Sequence, residues 1–308
     1  MSQISTHRGV ARRLDLSDGS VGVLDSLPAR GVPARATALL VPGYTGSKED
    51  FVPLLDPLAD AGYRVVAMDQ PGQYESVGPD DHAAYTVDWL GTVVCGVVKE
   101  LDAGAVHLLG HSFGGLVARA AALAEPALFR SLTLMGSGPA ALGGSRRERM
   151  AALEPLVPRG MAVVYDAVER LAAGDPRWRQ SPAELRAFLK ARFVASSAAG
   201  LLGMGNALLS EPDRVAGLAA AGIPVLVCHG VDDDAWRPVT QAEMARRLGA
   251  THVAIPAAVH SPAIENTAAT VATLREFWRQ HDRAPSLQVP YSPAPAGRAA
   301  GVEGHERL

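Results

Sequence analysis

Gly110-His111-Ser112-Phe113-Gly114-Gly115 sets a serine between glycines in the pattern G-x-S-x-G, which occurs once in the 308 residues. The pattern alone is a weak signal, but its setting is a strong one. The apolar run Val106–Leu109 leads directly into it and the amphipathic stretch Phe113–Ala124 leaves it, so it reads as strand, sharp turn, helix. Such a turn brings the strand and helix backbones together, where a Cβ atom would collide, and this explains the glycines. A serine raised on that turn is suited to nucleophilic attack. Its hydroxyl keeps its proton at neutral pH, so it needs a base, and the base needs an acid to orient it.

The histidine in Val259-His260-Ser261-Pro262 is the candidate base. It follows the last apolar run and precedes the final helix, which puts it at the carboxyl edge of a parallel sheet, the same edge as Ser112. His111 is next to the serine in sequence, but a tight turn is expected to aim its ring away. His107 and His252 read as strand residues, and His7, His82, His281 and His305 fall in polar loops or termini. For the acid, Val225–Cys228 runs into His229-Gly230-Val231-Asp232-Asp233-Asp234, which offers three aspartates. The order of the three parts is serine, acid, histidine. Two rival readings use the same stretch. His229 with the acidic run could hold a metal, but no second ligand cluster completes a shell. Cys228 could be a nucleophile, but a cysteine ending an apolar strand is expected to be buried and inert.

The elements that must position these residues alternate along the chain. Ala38–Val41, Arg64–Met68, Val106–Leu109, Leu132–Met135, Val225–Cys228 and Val253–Ile255 are short apolar runs, mostly closed by glycine or proline. Runs without polar alternation predict parallel strands covered on both faces. Leu14–Leu16 and Val21–Leu24 predict an N-terminal hairpin turning at Asp18-Gly19. Thr86 is the expected N-cap of a helix whose apolar face is Leu90, Val93, Val94, Val97, Val98 and Leu101. A last helix carries Val271, Leu274, Phe277 and Trp278 on one face. Between about residues 141 and 219 the rhythm breaks into helical patterns only (Glu148–Leu153, Met161–Ala172, Ala183–Val194, Ala198–Leu209), the expected mark of an inserted lid. Most of its apolar residues are expected to pack the lid, the rest to line an acyl or ring pocket, and Arg146-Arg147-Glu148-Arg149 reads as a solvated helix face. After Ala284 the chain turns rich in proline and glycine, which predicts a disordered tail.

The composition sets bounds on function. With 48% hydrophobic and 20% charged residues, the chain is that of a packed globular protein. A net charge of −3 argues against nucleic-acid binding, which needs clustered positive charge. Two cysteines cannot build a disulfide framework, and no apolar run approaches the ~18 residues of a membrane span. The first ten residues lack the apolar core of a secretion signal, so a cytoplasmic location is expected, with no membrane partner. Only Lys48, Lys99 and Lys190 among 29 basic residues are lysines, a bias of composition and not a site.

The chain resembles the α/β-hydrolase superfamily, in its capped, esterase-like form, over roughly residues 10–282. The resemblance rests on G-H-S-F-G-G, on Pro42-Gly43-Tyr44, on G-x-x-D at Gly230–Asp233 and on His260. It implies an α/β fold with a mostly parallel sheet flanked by helices: a core of 1–140 and 220–283, a helical cap at 141–219 and a tail at 284–308. It also implies Asp233 as the acid, a choice among the three aspartates that the residues themselves leave open. By the same resemblance the N–H groups of Tyr44 and Phe113 form an oxyanion hole, in a loop that reads Pro-Gly where the family usually has His-Gly. Asp69, Gly72 and Ser76 keep the register of a family loop and are expected to form a structural turn. The implied activity is hydrolysis of a carboxylic ester or related acyl compound through an acyl-enzyme at Ser112, with no cofactor or metal and a small apolar or neutral substrate. A thioesterase, a carbon–carbon bond hydrolase or perhydrolase, and a non-catalytic ligand receptor are the alternatives. The sequence does not set an oligomeric state.

Overall fold

The apolar runs become strands whose alternate residues enter two different cores. In the strand Thr37–Val41 (β3), Leu39 and Val41 face one core while Ala38 and Leu40 face the other. Arg64–Met68 (β4) and Val225–Gly230 (β7) divide their residues in the same way. This is why these runs lack polar alternation: both faces of the sheet are covered. The computed structural model describes residues 2–17 and 19–282, so the residues predicted to form the tail, 284–308, lie outside the described ones, as does Asp18.

Val10–Leu16 (β1) and Gly19–Ser26 (β2) form the predicted hairpin. With Val106–His111 (β5), Phe129–Met135 (β6) and Thr251–Ile255 (β8) they complete an eight-stranded sheet of order β1-β2-β4-β3-β5-β6-β7-β8. The β1–β2 and β2–β4 pairs are antiparallel and the rest are parallel. Val52–Ala59 (α1) is a helix that the sequence hides, because prolines at 53 and 57 interrupt its periodicity. Val87–Glu100 (α2) starts as expected, with the Thr86 hydroxyl oxygen accepting from the Trp89 N–H at 3.1 Å. Phe113–Ala124 (α3) has the predicted bounds.

Between β6 and β7 the described residues form helices and no strand: Gly144–Leu153 (α4), Met161–Ala172 (α5), Pro176–Gln180 (α6), Ala183–Ala195 (α7), Ala198–Ser210 (α8) and Val215–Ala220 (α9). Val215 and Leu218 of α9, inside the stretch assigned to the lid from sequence, pack into the core shared by α2, α3 and the sheet. Pro238–Leu248 (α10), Pro262–Glu265 (α11) and Thr267–Gln280 (α12) follow. One core lies under α2, α3 and α10, and the other under α1 and α12 around Trp278, which is fully buried. The helical segment has a third cluster of its own, around Val157, Val164, Tyr165 and Phe193.

Polar ties fasten that segment to α3 and to the loops after β3 and β4. Arg119 in α3 meets Glu211 at 2.9 Å, both buried. Arg192 in α7 donates to Asp50 at 2.6 Å and to the Ser47 hydroxyl at 3.0 Å. The Ser197 N–H donates to the Gly72 carbonyl at 2.8 Å and the Tyr74 N–H to the Ser196 hydroxyl at 3.0 Å. No single helix among the described residues is long and apolar enough to cross a membrane.

Candidate active site

Ser112 sits between β5 and α3 with φ 55° and ψ −121°, a backbone conformation that a residue with a Cβ rarely adopts. The surroundings hold it there. Its N–H donates to the Met135 carbonyl at 2.9 Å, and its carbonyl accepts from the Gly115 N–H at 2.9 Å. A Cβ on Gly114 would lie 2.4 Å from the carbonyl oxygens of both Val41 and Pro42, so only glycine lets α3 start this close to β3. The turn therefore stands its serine up at the carboxyl edge of the sheet.

Residues 148 positions apart meet there. The Ser112 hydroxyl donates to His260 Nε2 at 3.0 Å, and His260 Nδ1 donates to Asp233 Oδ1 at 3.1 Å. The ionised carboxylate can only accept, so it fixes the imidazole proton on Nδ1 and leaves Nε2 free to accept from the serine. Burial works to raise the pKa of Asp233. It is outweighed by the bond from His260, by the Ala235 N–H at 2.9 Å and by Gln241 Nε2 at 3.0 Å, and the carboxyl stays below the usual carboxylate range. Asp233 is buried, whereas Asp232 and Asp234 are exposed, and Asp234 pairs with Arg146 at 2.6 Å. Burial and aim thus separate the three aspartates that the residue pattern left equivalent. Gln241, which holds the second carboxylate oxygen, carries no signal in the sequence.

His111 does not turn away as expected from its place in the turn. Its ring lies 5.0 Å from that of His260, and its Nε2–H donates to the His260 carbonyl at 2.7 Å. Burial, and then the proximity of His260, push its pKa down to about 4, so at neutral pH it is an uncharged donor fixing the loop that carries His260. His229, the metal-binding alternative, uses both ring nitrogens on the Gly230 carbonyl (2.8 Å) and His252 (2.9 Å). Cys228 is buried and its thiol is pushed up to about 12 by burial, which matches the inert reading.

The loop after β3 brings Gly43 against the serine: a Cβ there would lie 3.0 Å from Ser112 Cβ. Gln70 and Gln73 hold this loop by donating to the carbonyls of Pro42 (2.9 Å) and Gly43 (2.8 Å). Both are buried, and both belong to the loop expected from sequence to be only a turn. Within it Asp69 accepts from Lys48 Nζ at 2.8 Å and Ser76 donates to the Asp69 carbonyl at 2.9 Å, so the turn itself is structural as read. Tyr44 follows Gly43, and its hydroxyl donates to the Leu201 carbonyl of α8 at 3.1 Å. Phe113 is the first residue of α3, where an N–H has no partner within the helix.

Ser112, His260, Gly43 and His111 line a cavity of about 400 Å³. Its far wall carries Arg146, Arg149 and Arg192. Arg147, Glu148 and Arg149 are exposed, as expected of a solvated helix face, while Arg146 is half-buried and reaches the Asp234 carboxylate; Arg146 and Arg149 also border this cavity. Their spacing of three places them on one side of the helix, a pattern that does not say what that side meets.

Known proteins agree with this architecture. Residues 38–273 match the model of the alpha/beta hydrolase family. A 2-hydroxy-6-oxononadienedioate/2-hydroxy-6-oxononatrienedioate hydrolase of Cupriavidus pinatubonensis is 37% identical over 139 residues, 44% of this chain and 47% of that one. A putative carbamate hydrolase of Variovorax paradoxus is 38% identical over 134 residues, 41% of this chain and 49% of that one. The chain thus spans about half the length of the curated relatives it matches. Among solved structures, the enol-lactonase of Burkholderia xenovorans superposes with a TM-score of 0.74 at 22% identity, covering 87% of this chain and all of that one, a likeness of fold. On the family match over most of its length, and on the sheet and helices that carry it, the chain belongs to the alpha/beta hydrolase family.

Proposed function

We propose that the protein is a serine hydrolase that cleaves a carboxylic ester or related acyl compound through an acyl-enzyme on Ser112. The observation that carries this reading is the unbroken line from Ser112 Oγ to His260 to the buried Asp233, at 3.0 and 3.1 Å. Ser112 Oγ attacks the carbonyl carbon while His260 Nε2 takes the hydroxyl proton, and Asp233 stabilises the imidazolium. The charge that develops on the carbonyl oxygen faces the N–H groups of Tyr44 and Phe113. A donor in that role contributes ~2.7–4 kcal/mol. His260 then returns the proton to the leaving group, water attacks the acyl-enzyme by the same path, and the acid is released with Ser112 restored. No step calls for a cofactor. The helices α4–α8 act as the cap over this edge of the sheet.

The test is labelling with a fluorophosphonate, wild type against Ser112→Ala, followed by a panel of acyl esters. Wild type is expected to take the label and to hydrolyse esters, and the variant to do neither. A wild type that takes no label and cleaves nothing overturns the reading. A second reading, carbon–carbon bond hydrolysis of an acidic oxo-dienoate, is favoured by the printed activity of the Cupriavidus relative together with three arginines on the cavity wall. Turnover of a 2-hydroxy-6-oxo-dienedioate exceeding that of every ester in the panel would establish it in place of the first.

A further inference from the structure

A second cavity, of about 320 Å³, lies inside the helical segment behind Tyr44. It has the volume of a small-molecule site (roughly 300–1,000 Å³). Its wall is built from sequence periodicity: Val164, Val168 and Ala172 recur every fourth residue on α5, facing Trp178 of α6 and Phe193 of α7. Well-packed interiors leave few voids larger than a water molecule. Valine, leucine and aromatic side chains make most of its wall, with Glu154, Arg192 and Asn206 among them, and such a lining favours a largely apolar occupant.

The two cavities share Tyr44, Thr45, Met150 and Arg192 in their walls. The direction of the join follows from the chemistry. The leaving group takes its proton from His260 Nε2, so it must lie on the His260 side, where Arg146 reaches Asp234. The apolar cavity opens past Tyr44, the residue beside Gly43 and the carbonyl-oxygen side of the serine. Resting on the serine hydrolase reading, we infer that this cavity is the acyl-chain compartment: the substrate carries an apolar acyl chain of up to ~10 carbons, at about 30 Å³ for each small group enclosed, and a polar leaving group facing the arginines. Val168 and Trp178, which line this cavity and not the catalytic one, set the chain length.

The experiment has a kinetic and a binding arm. For p-nitrophenyl esters from acetate to palmitate, kcat/KM is expected to rise about fourfold per methylene to an optimum of up to ~10 carbons and then to fall. Val168→Phe should move the optimum to shorter chains and Trp178→Ala to longer ones. In the binding arm, saturated fatty acids of increasing length are titrated into Ser112→Ala protein and read by tryptophan fluorescence, with Trp178→Phe identifying the responding residue. Affinity should rise with length to the same limit. Labelled, acetate-cleaving protein with a flat profile, or an optimum that neither variant moves, overturns the inference and leaves the hydrolase reading intact. Protein without label overturns the hydrolase reading, and the fatty-acid series then decides the cavity alone: absence of length-dependent binding overturns it. Should Val168→Phe fail to fold, the opposite shift in Trp178→Ala decides.

Discussion

Replacing Asp233 by asparagine removes one charge from a site where the geometry leaves the new amide no good orientation. Oδ1 accepts from His260 Nδ1 and the Ala235 N–H, and Oδ2 accepts from Gln241 Nε2. An amide placed with its oxygen towards His260 points its NH₂ at the NH₂ of Gln241. Flipped, it presents NH₂ to Nδ1 and drives the imidazole to the tautomer that cannot accept from Ser112. The lost attraction between carboxylate and imidazolium across 3.1 Å is about 5 kcal/mol at an effective dielectric near 20. At 1.36 kcal/mol per decade this corresponds to a fall in kcat of ~10³–10⁴. The assay is steady-state hydrolysis of the best ester in the panel, with circular dichroism to confirm folding. Asp234→Asn, which alters only an exposed pair with Arg146, should cost less than tenfold. Adding Gln241→Met to Asp233→Asn removes the opposing NH₂ and should recover about tenfold. Equal losses at Asp233 and Asp234, or an Asp233→Asn enzyme keeping more than a tenth of its activity, would refute the reasoning.

Further outcomes are expected elsewhere. Gly43→Ala puts a methyl 3.0 Å from Ser112 Cβ and shifts the loop bearing the Tyr44 N–H; kcat should fall by about 10² with little change in KM, as for loss of one oxyanion donor. Glu211→Gln leaves Arg119 buried without its counter-charge. The expected cost is about 3–5 kcal/mol, seen as a Tm lowered by roughly 5–15 °C, with much of it regained in Arg119→Met/Glu211→Leu. His107 is held neutral by burial with its pKa near 4, whereas in the unfolded chain it titrates at the ordinary value near 6.5. The unfolded state therefore binds more protons between those values, and this histidine costs stability as the pH drops from about 6.5 towards 4 and nothing above 7. The Tm of wild type relative to His107→Gln should accordingly decline over that window, and a constant difference would count against it.

The parts legible in the sequence were those specified locally. β3, β4 and β7 announce themselves because strands covered on both faces need apolar residues at every position. α3 and its serine are marked by glycines whose Cβ atoms would strike neighbouring backbone. The parts that were not legible depend on chain segments far apart. Gln241 is an ordinary helix residue until α10 lays it against Asp233, and Gln70 and Gln73 are ordinary loop residues until they meet the carbonyls of Pro42 and Gly43. The place of His111 is not legible because a turn specifies where a side chain starts and not what a loop 149 residues later brings to it. Which of the three aspartates faces His260 is likewise a matter of burial, and a run of identical residues holds no record of that.

The ties that hold the helical segment have a consequence for how this protein can change. They run from Glu211, Arg192, Ser196 and Ser197 to α3, to Asp50 before α1 and to the loop after β4, while Val168, Ala172 and Trp178 lie on α5 and α6 and take no part in them. Substitutions at those three positions therefore leave the anchoring side chains and the alignment of Ser112 with His260 in place. Substrate range is free to drift by single steps along one pair of helices while the reacting groups stay in register. A library confined to those three positions should yield altered selectivity at a far lower cost in stability than one spread over the whole segment.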